Sequence, residues 1–136
     1  MQIDKKTIID ILKSEIPGIL AIYIFGSYAN GTANKKSDID IAYLSKTKLS
    51  SLDRWNIAQK LANTLLIDVD LVDLYTANTV FKYQIVSSAN RIYGCGYEVE
   101  YFETLVYSQY LRFKEERQPI VDEIIKNKTI FGELNG

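Results

Sequence analysis

Residues 26–40, GSYANGTANKKSDID, stand between two apolar runs and decide how the rest of the chain is read. Before them comes Ile19-Leu20-Ala21-Ile22-Tyr23-Ile24-Phe25, too continuously apolar for a half-exposed strand and so read as one buried on both faces. After them Asp38–Leu44 (DIDIAYL) resumes as a second strand. A connecting loop needs glycine and polar residues, but it does not need two carboxylates two positions apart. On a strand such residues share a face, with Cα atoms about 6.6 Å apart. Asp38 and Asp40 can therefore converge on a divalent cation while Ile39, pointing the other way, anchors the strand. The plain alternative is a pair of solvated aspartates at a strand start.

Gly26 and Ser27 add to the pattern. A glycine at the end of a buried strand lets backbone approach a ligand closely. Ser27 brings a hydroxyl, and the amides around it can face an anion if Tyr28-Ala29-Asn30 opens a helical turn. The segment is not a P-loop, because GxxxxGK[ST] is missing. Alone, the Gly-Ser pair also reads as a capped turn.

Further along, DVDLVDL (Asp68–Leu74) is a third strand with Asp68 and Asp70 on one face and Asp73 on the other. Asp4 caps a first helix, with Ile3 and Ile8 as a hydrophobic staple, and Pro17-Gly18 ends it. Ser50 or Ser51 caps another helix, whose Leu52, Trp55, Ala58, Leu61 and Leu65 recur at helical spacing; Trp55 is thereby assigned to the core. A helix near 77–86 and a short strand over 91–93 follow. The tail from 97 to 126 is helical in pattern, with a kink or fresh start expected at Pro119 and with Ile120 and Ile124 continuing the stripe. In that tail Phe102, Tyr110 and Phe113 are expected to bury, leaving Tyr101 and Tyr107 as partner-contact candidates. Arg112, Lys114, Glu115, Glu116 and Arg117 read as a solvated face, and Cys95, between two glycines, as part of a turn. Strands interleaved with helices make this an α/β or α+β domain around a small mixed sheet.

Composition narrows the chemistry. The 136 residues, 47% hydrophobic and 24% charged, fit one domain with one core. Lys+Arg 16 against Asp+Glu 17 leaves a net charge of -1, so direct nucleic-acid binding is disfavoured. Cys95 is the sole cysteine, so no intrachain disulfide forms and the expected compartment is the cytoplasm. The N-terminus lacks a signal-peptide core, and no apolar run approaches membrane-spanning length. The chain contains no histidine. That removes Ser-His-Asp and Cys-His catalysis and the usual zinc ligand sets. Any metal would rest on carboxylate oxygens, which points to a hard cation such as Mg²⁺.

Gly-Ser, ten residues, then Asp-x-Asp resembles the nucleotidyltransferase signature of the DNA polymerase beta superfamily. The small size and VDLVDL resemble its minimal nucleotidyltransferase group. DRWNIAQKLA, VDLVDLYTANTV and the aromatic-rich C-terminal helix extend the likeness, over nearly the whole chain, to the antitoxins of HEPN–MNT toxin–antitoxin modules. The resemblance implies a nucleotidyltransferase fold with a long C-terminal helix. It also implies a single minimal domain over 1–136, with a core of about 1–94 and a helical region of about 97–127. It implies that Gly26 and Ser27 contact the nucleotide phosphates, that Asp38 and Asp40 are metal ligands, and that Asp70 is the third catalytic carboxylate; on face geometry alone Asp68 competes for that place. The implied reaction transfers AMP from ATP, with Mg²⁺, to a tyrosine of a HEPN ribonuclease toxin and neutralises it. A small hydroxylated acceptor, or an antitoxin that masks its toxin without chemistry, are the other readings. One position departs from the pattern: the family often carries a basic residue where this chain has Asn30. Lys35 and Lys36 are the nearby cations that can replace it.

Overall fold

The computed structural model describes residues 3–34 and 36–135, with side chains as far as 117 and at 123. Lys35 and the side chains of Pro119, Ile120 and Ile124 lie outside the described residues. The chain runs α1 (Lys5–Glu15), β1 (Ile19–Phe25), α2 (Ser27–Asn30), β2 (Ile39–Ser45), α3 (Ser51–Leu65), β3 (Val69–Asp73), α4 (Thr79–Ser88), β4 (Asn90–Tyr93) and α5 (Tyr97–Asn135).

Local chemistry sets the helix starts. The Asp4 carboxylate accepts from Thr7 N at 3.1 Å, Ser50 Oγ from Asp53 N at 3.0 Å, and Asn78 Oδ1 from Phe81 N at 2.8 Å. Each cap satisfies an amide that the first turn leaves without a partner.

The four strands lie in the order β3-β2-β1-β4. β1 is antiparallel to both β2 and β4, while β3 runs parallel to β2, so the sheet is mixed. A parallel neighbour requires a crossover, and α3 supplies it between β2 and β3. β1 and β2 are central and alternate between two cores. Ile22, Ile24, Ile41 and Tyr43 face the side packed by Ile8 and Leu12 of α1 and Ala58 and Leu61 of α3. Ala21, Tyr23, Ala42 and Leu44 face the side packed by Ile85 of α4 and Phe102 and Val106 of α5. This double burial explains why both strands read as nearly unbroken apolar runs.

α5 is fixed to the sheet by a polar tie. Glu103 Oε1 accepts from Tyr23 Oη at 2.7 Å and from Arg91 Nη1 at 3.0 Å, joining β1 and β4 to the helix. Tyr83 of α4 stacks on Tyr110 at 3.7 Å and meets Tyr107 edge-on at 5.7 Å. Phe102 is buried, Tyr110 and Phe113 are half-buried, and Tyr101 and Tyr107 are exposed.

Two expectations need correction. Leu52 and Trp55 are 67% and 59% exposed, and the buried line of α3 is Ile57, Ala58 and Leu61; Trp55 is not a core residue. Residues spaced three apart turn back roughly 60° per step on a helix, so the row from Leu61 to Leu52 winds onto the opposite side. The C-terminal helix continues to Asn135 as one element and does not start afresh at Pro119. Among the described residues no helix is long and apolar enough to cross a membrane.

Candidate active site

The sheet register brings the signature residues into a row. Phe25 of β1 pairs with Asp40 of β2, and Asp40 pairs with Asp70 of β3. Gly26 follows directly on Phe25, so the order across the sheet is Asp70, Asp40, then Gly26 and Ser27. Asp40 shares its face with Ala42 and Leu44, the side covered by α4 and α5. Asp38 precedes the strand by one residue and is exposed, as is Asp70, whereas Asp40 is half-buried.

Gly26 and Asp40 are in intimate contact. Gly26 has φ 71° and ψ -150°, a conformation essentially reserved for glycine. A β-carbon there would lie 2.1 Å from Asp40 Oδ2. The glycine therefore admits the carboxylate against the backbone, at the point where β1 turns into α2. Within that turn Ala29 N and Asn30 N donate to Gly26 O at 3.1 and 3.3 Å, which leaves Ser27 and Tyr28 at its head. Beside it Phe25 meets Phe81 of α4 edge-on at 5.5 Å.

Electrostatics single out Asp40. Burial first, then the negative charges of Asp70 and Asp38, push its carboxyl above the ordinary carboxylate range. Asp68 is not among the groups that perturb it, and the Asp68 carbonyl accepts from Ile39 N at 2.9 Å at the foot of β2. Face geometry leaves Asp68 and Asp70 equivalent; register sets Asp70 beside Asp40. Asp38 and Asp70 face solvent. The buried aspartate is Asp73, on the opposite side of β3, where Oδ1 accepts from Tyr75 N at 2.9 Å.

The residues fit a hard cation that shares its coordination with a ligand. Among the described residues no set of three carboxylate or thiol groups encloses a metal by itself. Mg²⁺ is seldom caged by protein alone; it takes one or two carboxylates, phosphate oxygens and water. Asp40, held close to like charges and partly desolvated, has the oxygen chemistry for that arrangement. Asn30 does not reach outward, because its Oδ1 accepts from Thr32 N at 3.2 Å and Thr32 Oγ1 at 2.6 Å, closing the turn after α2. Lys36 is exposed and lines an open cavity of about 450 Å³ with Ser37, Asp38, Gln59 and Asp68.

Sequence reasoning missed two features. Tyr28 Oη is buried without a hydrogen-bond partner in the turn that follows Gly26. Trp55, Arg54, Gln59 and Asp70 line an open groove of about 340 Å³ where α3 meets β3, an edge strand of the sheet. An aromatic at Tyr28 and a tryptophan with an off-stripe alternative were visible in the sequence, but neither pattern marks a neighbour so distant along the chain.

Residues 6–95 match the family described as Polymerase beta, Nucleotidyltransferase. The chain belongs to this nucleotidyltransferase family. Its mixed four-stranded sheet, flanking helices and long C-terminal helix are the nucleotidyltransferase fold. The nucleotidyltransferase is 42% identical to the protein adenylyltransferase MntA of Shewanella oneidensis over 126 residues, which cover 93% of this chain and 91% of that protein. A chain in the crystal structure of a toxin–antitoxin with AMP-PNP is 41% identical at a TM-score of 0.82, covering 90% of this chain and 99% of that one. A chain from the tri-AMPylated Shewanella oneidensis HEPN toxin in complex with MNT antitoxin is 40% identical at a TM-score of 0.75, covering 89% and 95%.

Proposed function

We propose that this nucleotidyltransferase is an antitoxin of the cytoplasm that transfers AMP from ATP to a tyrosine of a HEPN toxin and so neutralises it. The observation that carries the chemistry is the row Asp70–Asp40–Gly26 across three adjacent strands, with Asp40 pressed against the glycine backbone. The kinship with the adenylyltransferase MntA, and with chains from AMP-PNP and AMPylated-toxin complexes, supports the substrate and the acceptor. A lone, exposed, unbridged Cys95 fits a reducing compartment.

In this reading Gly26 and Ser27 would receive the nucleotide phosphates, and Asp38, Asp40 and Asp70 would hold Mg²⁺. Bound there, Mg²⁺ neutralises the triphosphate and stabilises charge on the attacking and leaving oxygens. The tyrosine Oη bonds to the α-phosphorus while the bond from that phosphorus to the β-phosphate oxygen breaks, and pyrophosphate departs. The phenol, with an ordinary pKa of about 10, must give up its proton. Asp70, the exposed member of the row, accepts it.

The test is to incubate the chain with ATP, Mg²⁺ and the HEPN protein encoded beside it, and to weigh that protein intact. Addition of AMP units is expected. Asp38→Asn and Asp40→Asn are each expected to abolish the addition while still binding the HEPN protein; retained transfer in either would remove the metal-site assignment.

A further inference from the structure

Asp40 and an apolar cavity stand on the same side of the sheet, with one pair of aromatic rings between them. Phe25 is the cross-strand partner of Asp40, and paired residues share a face. Both therefore point to the side covered by α4 and α5, where Phe25 and Phe81 pack against the core of Ala42, Leu44 and Ile85. The Phe25 ring meets the Phe81 ring edge-on at 5.5 Å. Phe81 in turn lines an open cavity of about 430 Å³, together with Asn78, Thr79, Val80 and Gln84 around the start of α4 and Phe113 of α5. That volume lies within the range of about 300–1,000 Å³ usual for small-molecule sites.

The walls favour a flat, uncharged ring. No charged side chain is among the described residues that line the cavity, and two of its members are phenylalanines. The Arg117 guanidinium, 5.1 Å from the Phe113 ring centre, holds that ring in place. Two carboxamides stand at the same wall. Asn78 spends its Oδ1 on Phe81 N at 2.8 Å, as the cap of α4. Gln84 is exposed there. A glutamine amide carries a donor and an acceptor side by side, which match the N7 acceptor and N6–H donor of adenine. On the same edge guanine presents two acceptors, O6 and N7, and one of them would face the amide oxygen.

A ribose is the spacer between the α-phosphate of a nucleotide and its base. With the phosphates at Gly26 and Ser27, directly after Phe25, the ribose would cross the Phe25–Phe81 contact and the base would enter the cavity. We propose that this cavity receives the base and that Gln84 makes it selective for adenine, pairing with N6 and N7 while Phe81 and Phe113 pack the ring. The proposal rests on the adenylyltransferase reading of the Asp40 site and adds to it the residues that choose the nucleotide.

The test is calorimetry of the full-length chain with Mg²⁺ and, in turn, AMP-PNP, GMP-PNP and inorganic tripolyphosphate, which has the charge but no base. The wild type is expected to prefer AMP-PNP to GMP-PNP by about tenfold or more. Gln84→Ala, at an exposed position, is expected to weaken AMP-PNP about tenfold and to leave GMP-PNP and tripolyphosphate within about twofold. Phe113→Ala is expected to weaken both nucleotides about tenfold, the scale of a lost base–aromatic stack, and to spare tripolyphosphate. Deleting N7 from the ligand probes the same contact: 7-deaza-ATP should bind the wild type less tightly than ATP, and Gln84→Ala should bind the two alike. Unchanged AMP-PNP affinity in Gln84→Ala would overturn the assignment, as would equal losses for AMP-PNP and GMP-PNP in that variant. A wild type that binds neither AMP-PNP nor tripolyphosphate would overturn the adenylyltransferase reading and the base cavity with it. AMP-PNP binding that ignores Gln84 overturns the base cavity alone.

Discussion

Gly26 is where sequence and chemistry meet most closely. Its φ of 71° already disfavours any side chain, and the 2.1 Å separation between a β-carbon and Asp40 Oδ2 excludes one unless the carboxylate moves. Gly26→Ala is therefore expected to cost about 1–3 kcal/mol of stability, the scale of a strained backbone position. Its effect on AMP transfer should be larger than its effect on folding, because relief of the clash displaces Asp40 itself. Urea unfolding measures the first and intact mass of the acceptor the second; a stable variant with full transfer would refute the coupling. Asn30, the position where the family often has a positive charge, is engaged with Thr32 and contributes shape to the turn after α2. Charge for a triphosphate must then come from elsewhere, and Lys36 stands exposed in the cavity that includes Asp38.

At the scale of elements, the caps and the apolar runs were legible from local rules. Asp4, Ser50 and the run Ile19–Phe25 do in the structure what their residue types dictate. The phase of α3 was not legible, because Leu52-Trp55-Ala58-Leu61 and Ile57-Ala58-Leu61 share two members and only packing chooses between them. α2, with four residues, is too short for any periodic signal. The Asp4 cap gives a pH test. Its carboxylate is held below the usual 3.8 by the Thr7 hydroxyl and then the Thr7 amide. A carboxylate whose pKa is lower in the folded state adds stability above the ordinary value, and that stability drains away as pH falls through the lowered one. Asp4→Asn cannot titrate, so its urea midpoint should fall less steeply with pH below the usual carboxylate value than that of the wild type. Parallel profiles would show that the cap charge contributes nothing.

For the molecule as a whole, the mixed sheet decides which residues become a site. Face geometry alone left Asp68 and Asp70 tied, and only the family resemblance chose Asp70; the parallel register of β2 and β3 places Asp70 beside Asp40. Such adjacency comes from the α3 crossover and leaves no trace in either segment. The same holds for Glu103, which joins β1, β4 and α5 although its partners lie far away in sequence. Tyr23 is 1% exposed, so Glu103→Ala would leave a buried hydroxyl unpaired, at an expected cost of about 1–3 kcal/mol. Adding Tyr23→Phe should recover part of that loss in a double-mutant cycle; strict additivity in urea unfolding would show that the tie is not energetic. The contact between Gly26 and Asp40 has a further consequence, for descent. Gly26 cannot drift first, because any side chain at 26 collides with the carboxylate at 40. A lineage that gives up this chemistry is expected to lose Asp40 first, and only afterwards to relax at 26. A glycine surviving opposite a replaced Asp40 then marks a recently silenced enzyme, whereas loss at both positions marks an old one.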